Sequence, residues 1–146
     1  MIRITESDII IEANSPALLR LYHLLLAALY QAGHLLTPDS KGVTSQLAAL
    51  LQRHGLEHVQ THAHTLEYRA GTPLGQLYLE DVRHISQTLL PFLRQWTRIP
   101  EDYEILRQQA LSEIQQPGFV ATWNFLTAWG NTPPEKEQSA PLSREH

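Results

Sequence analysis

Three segments of the chain alternate apolar and polar residues in the way that is typical of β-strands. The first is residues 2–6, and the apolar run at 9–11 either extends or follows it. The second is residues 58–68, and the third is residues 119–129, which are rich in aromatic and β-branched residues. The pattern therefore predicts three strands, one near each end of the chain and one in the middle.

The segments between these strands carry apolar residues at the three- and four-residue spacing of amphipathic helices. Ser15 and Thr72 each stand directly before a proline, which is the sequence typical of a helix N-terminus. The helix after Thr72 must be kinked or divided at Pro91, because proline lacks a backbone donor and clashes with the preceding turn. Two further helices are expected from Thr44 and from Pro100, which makes about four in all.

Two polar stretches are predicted to lie outside these elements. Residues 35–42 contain proline, aspartate and glycine and are expected to form a loop. Residues 134–146 are expected to form a disordered polar tail. The remaining residues, 1–133, are predicted to form one domain of the α/β class, in the order strand, helix, helix, strand, helix, helix, strand.

The composition narrows the classes of protein. Of 146 residues, 42% are hydrophobic and 18% are charged, which is typical of a globular domain. The net charge is −4 and no run of Lys or Arg is present, which argues against nucleic-acid binding. The absence of cysteine excludes disulfides, thiolate metal sites and a cysteine nucleophile. Neither a signal peptide nor a membrane-spanning run is recognised, so we expect a cytoplasmic protein.

Five short stretches carry a family resemblance when they are taken in order along the chain. They are Ile-Arg-Ile-Thr-Glu-Ser-Asp at 2–8, Ala-Leu-Tyr-Gln-Ala-Gly-His at 28–34 with Thr-Pro-Asp at 37–39, Leu-Gln-Arg-His-Gly-Leu at 51–56, Tyr-Arg-Ala-Gly-Thr at 68–72, and Phe-Leu-Thr-Ala-Trp-Gly at 125–130. They resemble the fifth strand of class I S-adenosylmethionine-dependent methyltransferases, the helix and loop after it, the helix before the sixth strand, the turn after that strand, and the closing seventh strand.

The resemblance covers the chain to about Pro133 and implies the C-terminal half of a Rossmann-like fold. Its three strands would be equivalent to strands 5-7-6 of the family, with the seventh antiparallel, in a three-stranded mixed sheet with about four helices. Members of the family bind S-adenosylmethionine with a Gly-x-Gly loop and an acidic residue, both in the N-terminal half. No two of the seven glycines here have that spacing. S-adenosylmethionine is therefore implied by the resemblance only, and we do not expect this chain alone to bind it.

The function implied by the resemblance is the substrate-side half of a methyltransferase that acts on a small molecule and is inactive without a cofactor-binding half. The alternative is a non-enzymatic, dimeric binding or regulatory module, or a truncated remnant of a methyltransferase. In either case the first strand would expose the edge that meets the fourth strand in the family. An open edge invites another strand, so a second copy or a complementary cofactor-binding chain is expected there.

Candidate site residues lie on three predicted elements. Glu6 and Asp8 are expected just after the first strand, where a carboxylate can orient a substrate or accept its proton. The alternative is a solvated loop carboxylate or a charge at a helix N-terminus. Tyr22 and His23 would help to cover the substrate if the resemblance holds, with packing in the core as the alternative. His84 is a candidate general base or a surface histidine. The catalytic candidates are thus Glu6 and His84, and the substrate-binding candidates are Glu6, Tyr22 and His23.

Two histidines of the middle strand, His62 and His64, are weak candidates for metal ligands. They project from one face of the strand together with His58, and imidazole suits zinc, nickel or copper. No acidic residue shares that face, so we expect solvent-facing or hydrogen-bonded histidines and no metal site. Trp123 and Trp129 are expected in the core. The sequence contains no Ser-His-Asp order, phosphate loop or His-Glu-x-x-His pattern that would indicate a hydrolase or phosphotransferase.

Overall fold

The fold is of the α/β class, as the order of the patterns predicts. A computed structural model describes residues 1–35 and 43–134, so all but the first residue of the loop expected at 35–42 and of the tail expected at 134–146 lie outside the described residues. The helices and strands are β1 (Ile2–Ala13), α1 (Pro16–Gln31), α2 (Val43–Arg53), β2 (Glu57–Arg69), α3 (Pro73–Thr88), α4 (Leu90–Trp96), α5 (Tyr103–Ile114) and β3 (Val120–Asn131). None of these helices is long and apolar enough to cross a membrane.

The three strands form one sheet in the order β1-β3-β2. The last strand of the chain lies in the middle and pairs antiparallel with both neighbours, with Ala128 opposite Ile4 on one side and Ala121 opposite Tyr68 on the other. Both pairings are antiparallel, so the prediction of a mixed sheet was wrong. The first and second strands nevertheless run in the same direction, one on each side of β3.

The first strand is longer than its sequence pattern indicates. Its register against β3 shifts between Ser7 and Ile11, and Ile9 within this irregularity has φ 52°. A β-branched residue at positive φ is rare, and here it allows two short apolar runs to continue as one bent strand. Glu6 and Asp8 therefore lie within β1, and the expectation that they follow the strand was wrong.

The side chain of Asp8 forms hydrogen bonds with the start of the second helix, α2. Its carboxylate accepts hydrogen bonds from the Thr44 backbone N–H at 3.2 Å and from the Thr44 hydroxyl at 2.6 Å. Thr44 is already helical, since α2 begins no later than Val43, so the prediction that Thr44 caps this helix was wrong. A carboxylate beside a helix N-terminus is favourable because the backbone N–H groups there lack partners within the helix.

The ends of two other helices follow the sequence closely. The Ser15 hydroxyl accepts from the Leu18 N–H at 3.1 Å, and the Thr72 hydroxyl accepts from the Gly75 N–H at 3.0 Å. Each cap precedes a proline at the first helical position, as predicted. Beyond α1, Gly33 has φ 79°, the left-handed conformation that glycine adopts most easily after a helix.

Two departures from the predicted helices, both in the second half of the chain, lie at prolines. Pro91 divides the predicted long helix into α3 and α4, so the described residues form five helices where about four were expected. Pro100 was expected to open the following helix, but α5 begins at Tyr103. The Tyr103 N–H donates to the Pro100 carbonyl at 3.1 Å, so a turn precedes the helix.

Apolar side chains gather in two clusters at opposite ends of the sheet. The larger cluster packs α1, α3, α4 and α5 against the ends of β1 and β2 and the start of β3, and Leu18, Leu106 and Ile114 are almost completely buried in it. The smaller cluster packs Leu47 and Leu51 of α2 against the other end of the sheet. Four helices therefore surround the end of the sheet at which β1 and β2 finish.

Candidate functional site

A cavity of about 130 Å³ lies where α1 and α3 meet the sheet. The first helix contributes one face, with lining residues at the spacing i, i+3, i+4 and i+7: Leu18, Leu21, Tyr22 and Leu25. The sheet contributes Ile9, Tyr68 and Trp123, which lie towards the carboxyl ends of β1 and β2 and near the start of β3. Ligands of open α/β sheets bind outside the carboxyl ends of the strands, so the cavity occupies a favourable position.

Aromatic rings form one wall of this cavity. Tyr68 and Tyr78 stack with their ring centroids 4.4 Å apart and an interplanar angle of 17°. The hydroxyl oxygens of Tyr22 and Tyr78 are 3.4 Å apart, a long hydrogen bond in which either hydroxyl is able to donate. We call Tyr22 and Tyr78 the tyrosine pair. A flat, apolar wall with two hydroxyls is suited to an aromatic molecule that carries a polar group.

The tyrosines that line the cavity remain neutral. Burial raises the pKa of Tyr78 far above its ordinary value, and it also raises the pKa of Tyr22 and Tyr68. The negative charge of Asp81 acts in the same direction at all three. Because they stay protonated at physiological pH, these residues are suited to donate hydrogen bonds and not to act as bases.

Two other polar groups of the lining, those of Ser86 and Tyr103, are already bonded within the protein. The Ser86 hydroxyl accepts from Arg107 Nε at 3.0 Å and donates to the Arg83 carbonyl at 3.3 Å, while the Tyr103 hydroxyl donates to the Ser86 carbonyl at 2.5 Å. The Tyr68 hydroxyl, the Asp81 carboxylate and the indole Nε1 of Trp123 make no hydrogen bond within the described residues, and of these only the indole nitrogen is completely buried. A buried donor without an acceptor is costly, so an acceptor from a ligand or a water would stabilise it.

The candidates from the sequence are scattered, and one of them lines the cavity. Tyr22 does so, whereas the neighbouring His23 is exposed on the outer side of α1. His84 is exposed on α3 and lies outside the cavity lining. Glu6 is exposed in the middle of β1, opposite Leu126 of β3. The structure therefore does not bring Glu6, His23 and His84 together around Tyr22.

The two histidines proposed as weak metal candidates are exposed on β2. The rings of His62 and His64 stack with centroids 6.2 Å apart, and His64 also stacks on Phe125 at 5.4 Å. A register shift between Glu57 and Gln60, with φ 53° at His58, takes His58 out of the regular ladder. Within residues 1–35 and 43–134, no three His, Cys, Asp or Glu side chains are placed to hold a metal ion.

Several lining residues were not recognised as site residues from the sequence. Tyr68, Tyr78 and Asp81 each belong to a pattern that also fits ordinary packing or a solvated helix face. One signal was available, since Tyr78, Asp81 and Ile85 lie on one face of α3 at helical spacing. Nothing in that spacing indicates that this face meets α1 across a cavity, which depends on tertiary packing.

The described residues do not fit S-adenosylmethionine as the family binds it. After β2 the chain turns through a single glycine, Gly71, and after β1 it turns through Asn14 and Ser15 without any glycine. Gly75 and Gly130 lie close to neighbouring protein atoms, so they leave no open surface to the ribose or the methionine part of the cofactor. A glycine-lined cradle for the cofactor is therefore missing from the described part of the chain.

Comparison with known proteins adds no assignment to these observations. No protein-family model and no curated protein matches the chain. The cavity, its position on the sheet and the strand order are therefore the observations from which its function is inferred.

Proposed function

We propose that this chain is the substrate-side half of an S-adenosylmethionine-dependent methyltransferase and that the cavity holds the methyl acceptor, a small molecule. The observation that carries the proposal is the position of the cavity, which lies beside the carboxyl-terminal half of β1 and the carboxyl end of β2. The strand order β1-β3-β2, with the central strand antiparallel to both neighbours, supports it as well. This is the order that the sequence resemblance implies for strands 5-7-6 of the family.

This half would contribute the positioning of the acceptor. Methyl transfer depends strongly on holding the acceptor in line with the methyl group, and it requires a base only when the acceptor must lose a proton. The apolar walls exclude water, and the tyrosine pair orients a polar group of the acceptor. The cofactor would be held by residues outside this sequence, in the same polypeptide or in another one.

The first test measures whether this chain binds S-adenosylmethionine, by isothermal titration of the purified chain. We expect no binding, because the glycine-lined cradle is missing. Micromolar binding of S-adenosylmethionine to this chain alone would contradict the proposal that residues outside this sequence hold the cofactor.

The second test measures transfer of a labelled methyl group to a panel of small acceptors. For this test the chain would be co-expressed with the polypeptide encoded by the coding sequence that precedes or neighbours its own. Ile85→Trp places a large ring at the exposed rim of the cavity and should abolish transfer. Leu77→Trp is the matched control on the same helix, because Leu77 is 63% exposed and lies outside the cavity lining. Equal activity of the two variants, or no transfer by the combined protein, would contradict the proposal.

The partner of this half would dock on the outer edge of β1. That edge has no strand partner among the described residues, whereas the inner edge is paired with β3. Unpaired backbone donors and acceptors along twelve residues offer a template for another strand. The occupant is a strand of the cofactor-binding half in the proposed enzyme. In the non-enzymatic alternative it is the same edge of a second copy.

A further inference from the structure

We infer that the cavity takes a neutral hydroxyarene with a single ring, a phenol-type molecule whose ring lies on the tyrosine wall and whose hydroxyl meets the tyrosine pair. The inference names the acceptor class of the proposed function and rests on it in treating the cavity as the acceptor site. Four observations support it, namely the volume of the cavity, the chemistry of its walls, its charge and the free hydrogen-bonding capacity inside it.

The volume of the cavity limits the size of the ligand. A cavity of roughly 150 Å³ lined by aliphatic and aromatic side chains accommodates benzene. The cavity here measures about 130 Å³, so it matches one aromatic ring with small substituents. A steroid or a polycyclic molecule would have to extend through the mouth, past the exposed rim residues Asp81 and Ile85.

The deep walls favour a flat and apolar body. Aliphatic side chains of α1, α3 and α4, and of the residue between α3 and α4, line the cavity together with the stacked rings of Tyr68 and Tyr78: Leu18, Leu21, Leu25, Val82, Leu89 and Leu93. An aromatic ring in this space would continue the stack and bury its surface against these side chains. A saturated sugar or a peptide would bring more polar groups than these walls are able to satisfy.

The charge of the lining argues against an ionised ligand. Among residues 1–35 and 43–134, no Lys, Arg or His lines the cavity, so a carboxylate or phosphate would find no counter-ion there and would lie near Asp81. An ammonium ion would find its counter-ion in Asp81, but that residue is exposed at the rim, and the rest of the lining offers the cation aliphatic side chains, aromatic faces and neutral polar groups. Desolvation of either ion is costly, and a neutral molecule avoids that cost.

Free hydrogen-bonding capacity remains at two places for one ligand hydroxyl. The tyrosine pair has two O–H groups and uses one of them in the contact between Tyr22 and Tyr78, so the other O–H is free to donate. The second place is the Tyr68 hydroxyl, which lies on the same wall and makes no hydrogen bond within the described residues. A hydroxyl oxygen accepts from such donors and its proton is able to bond back to a tyrosine oxygen, which fits a phenol better than a pure hydrocarbon.

The test is direct binding of 4-methylphenol to the full chain, with no cofactor present, by isothermal titration and by NMR of the indole N–H signals. The charged comparison ligands are 4-methylbenzoate and 4-methylbenzylammonium, which keep the ring. We expect 4-methylphenol to bind at least about tenfold more tightly than either ion, because of the desolvation cost. The Trp123 indole signal should shift on binding, whereas the signal of Trp129, which lies outside the lining, should stay.

Two variants test the role of the hydroxyl pair. Tyr22→Phe should weaken binding of 4-methylphenol about fivefold through loss of a hydrogen bond. Tyr30→Phe removes a hydroxyl from an exposed position on the same helix, outside the lining, and should leave the affinity unchanged. Circular dichroism and thermal unfolding establish that both variants are folded.

Three results would overturn the inference: no binding of 4-methylphenol to the folded chain, tighter binding of either ion, or equal effects of Tyr22→Phe and Tyr30→Phe. Binding of 4-methylphenol is measured without S-adenosylmethionine. Failure to bind would therefore exclude this class of acceptor only, and the activity test would still decide whether methyl groups are transferred to other acceptors. Failure of methyl transfer removes the proposed enzyme and leaves the binding result intact.

Discussion

Glu113 ties the start of α1 to α5 through a small hydrogen-bonded network. Its Oε2 accepts from the Ser15 hydroxyl at 2.5 Å and from the Ala17 N–H at 3.3 Å. The bond from Ser15 is the main reason that the pKa of Glu113 lies below its ordinary value, with smaller support from Gln109 and Ala17. Ser15 also caps α1, so one carboxylate secures a helix start that the sequence predicted by itself.

We predict that Glu113→Gln lowers the free energy of unfolding by about 1 kcal/mol at pH 7. The folded-state pKa is lowered, so the contribution is fully present above the unfolded pKa of about 4.3 and is lost as the pH falls through the folded value. The difference in Tm between the wild type and the variant should therefore shrink from pH 7 to pH 3. Glu101→Gln, at an exposed position before α5, is the control. A difference that is constant with pH would contradict this role.

At the residue scale, the sequence indicated one member of the cavity and missed the rest. Tyr22 was a candidate because of its place on the first helix, while Tyr68 and Tyr78 fitted strand and helix patterns without any sign of a site. Glu6 was a candidate because the first strand was expected to end there. Pairing with β3 carries the strand to Ala13, and a long-range partner of that kind leaves no local mark.

At the element scale, Gly75 allows α3 to start close to the end of β2. A Cβ atom at this position would overlap the Arg69 carbonyl oxygen and would lie 2.7 Å from the carbonyl carbon. Both atoms belong to the backbone, which cannot move without disturbing the turn before Thr72. The glycine is therefore required by the close approach of a helix to a strand.

We predict that Gly75→Ala destabilises the fold by about 2–3 kcal/mol, as is usual when an atom is forced into packed space. Gly118→Ala is the matched control, because a Cβ there meets nothing within 4 Å. Its effect should be within about 0.5 kcal/mol, as for most surface positions. Urea denaturation followed by circular dichroism measures both. Similar losses in the two variants would show that glycine flexibility, and not the contact with Arg69, is what matters.

Local chemistry predicted the start of two helices and the division at Pro91, because caps and prolines act through the nearest backbone groups. It failed where a distant residue takes part. Thr44 was expected to cap α2, but Asp8 of β1 supplies the oxygen atoms that bind its N–H and hydroxyl. Such a bond connects residues that are far apart in the sequence and becomes visible only in the fold.

At the scale of the whole molecule, the open edge of β1 predicts association of the chain with itself when no other strand covers it. Sedimentation velocity over a range of concentrations should show a dimer that dissociates on dilution. A single monomeric species at all concentrations would contradict pairing of two copies through this edge. It would indicate that β1 is stable without a further partner strand.

Two proline variants locate the interface. Alternate residues of a strand direct their N–H groups to opposite edges, and Arg3 and Glu6 have opposite parity within the regular part of β1. One of Arg3→Pro and Glu6→Pro should therefore prevent dimerisation and keep the fold, while the other should break the ladder with β3 and lower Tm. Dimers that survive in both folded variants would place the interface elsewhere.

The sequence by itself determined the α/β class, two helix caps, the break at Pro91 and the three regions that form strands, because these follow from periodicity and from contacts between neighbours in the chain. Only the tertiary structure decided that β1 continues through a bulge, that β3 lies between β1 and β2, and that faces of α1 and α3 enclose a tyrosine-lined cavity. The physical reason is that apolar periodicity predicts which face of a helix or strand is buried, but it does not predict which other element that face packs against. A site assembled from several elements exists only once those faces have met.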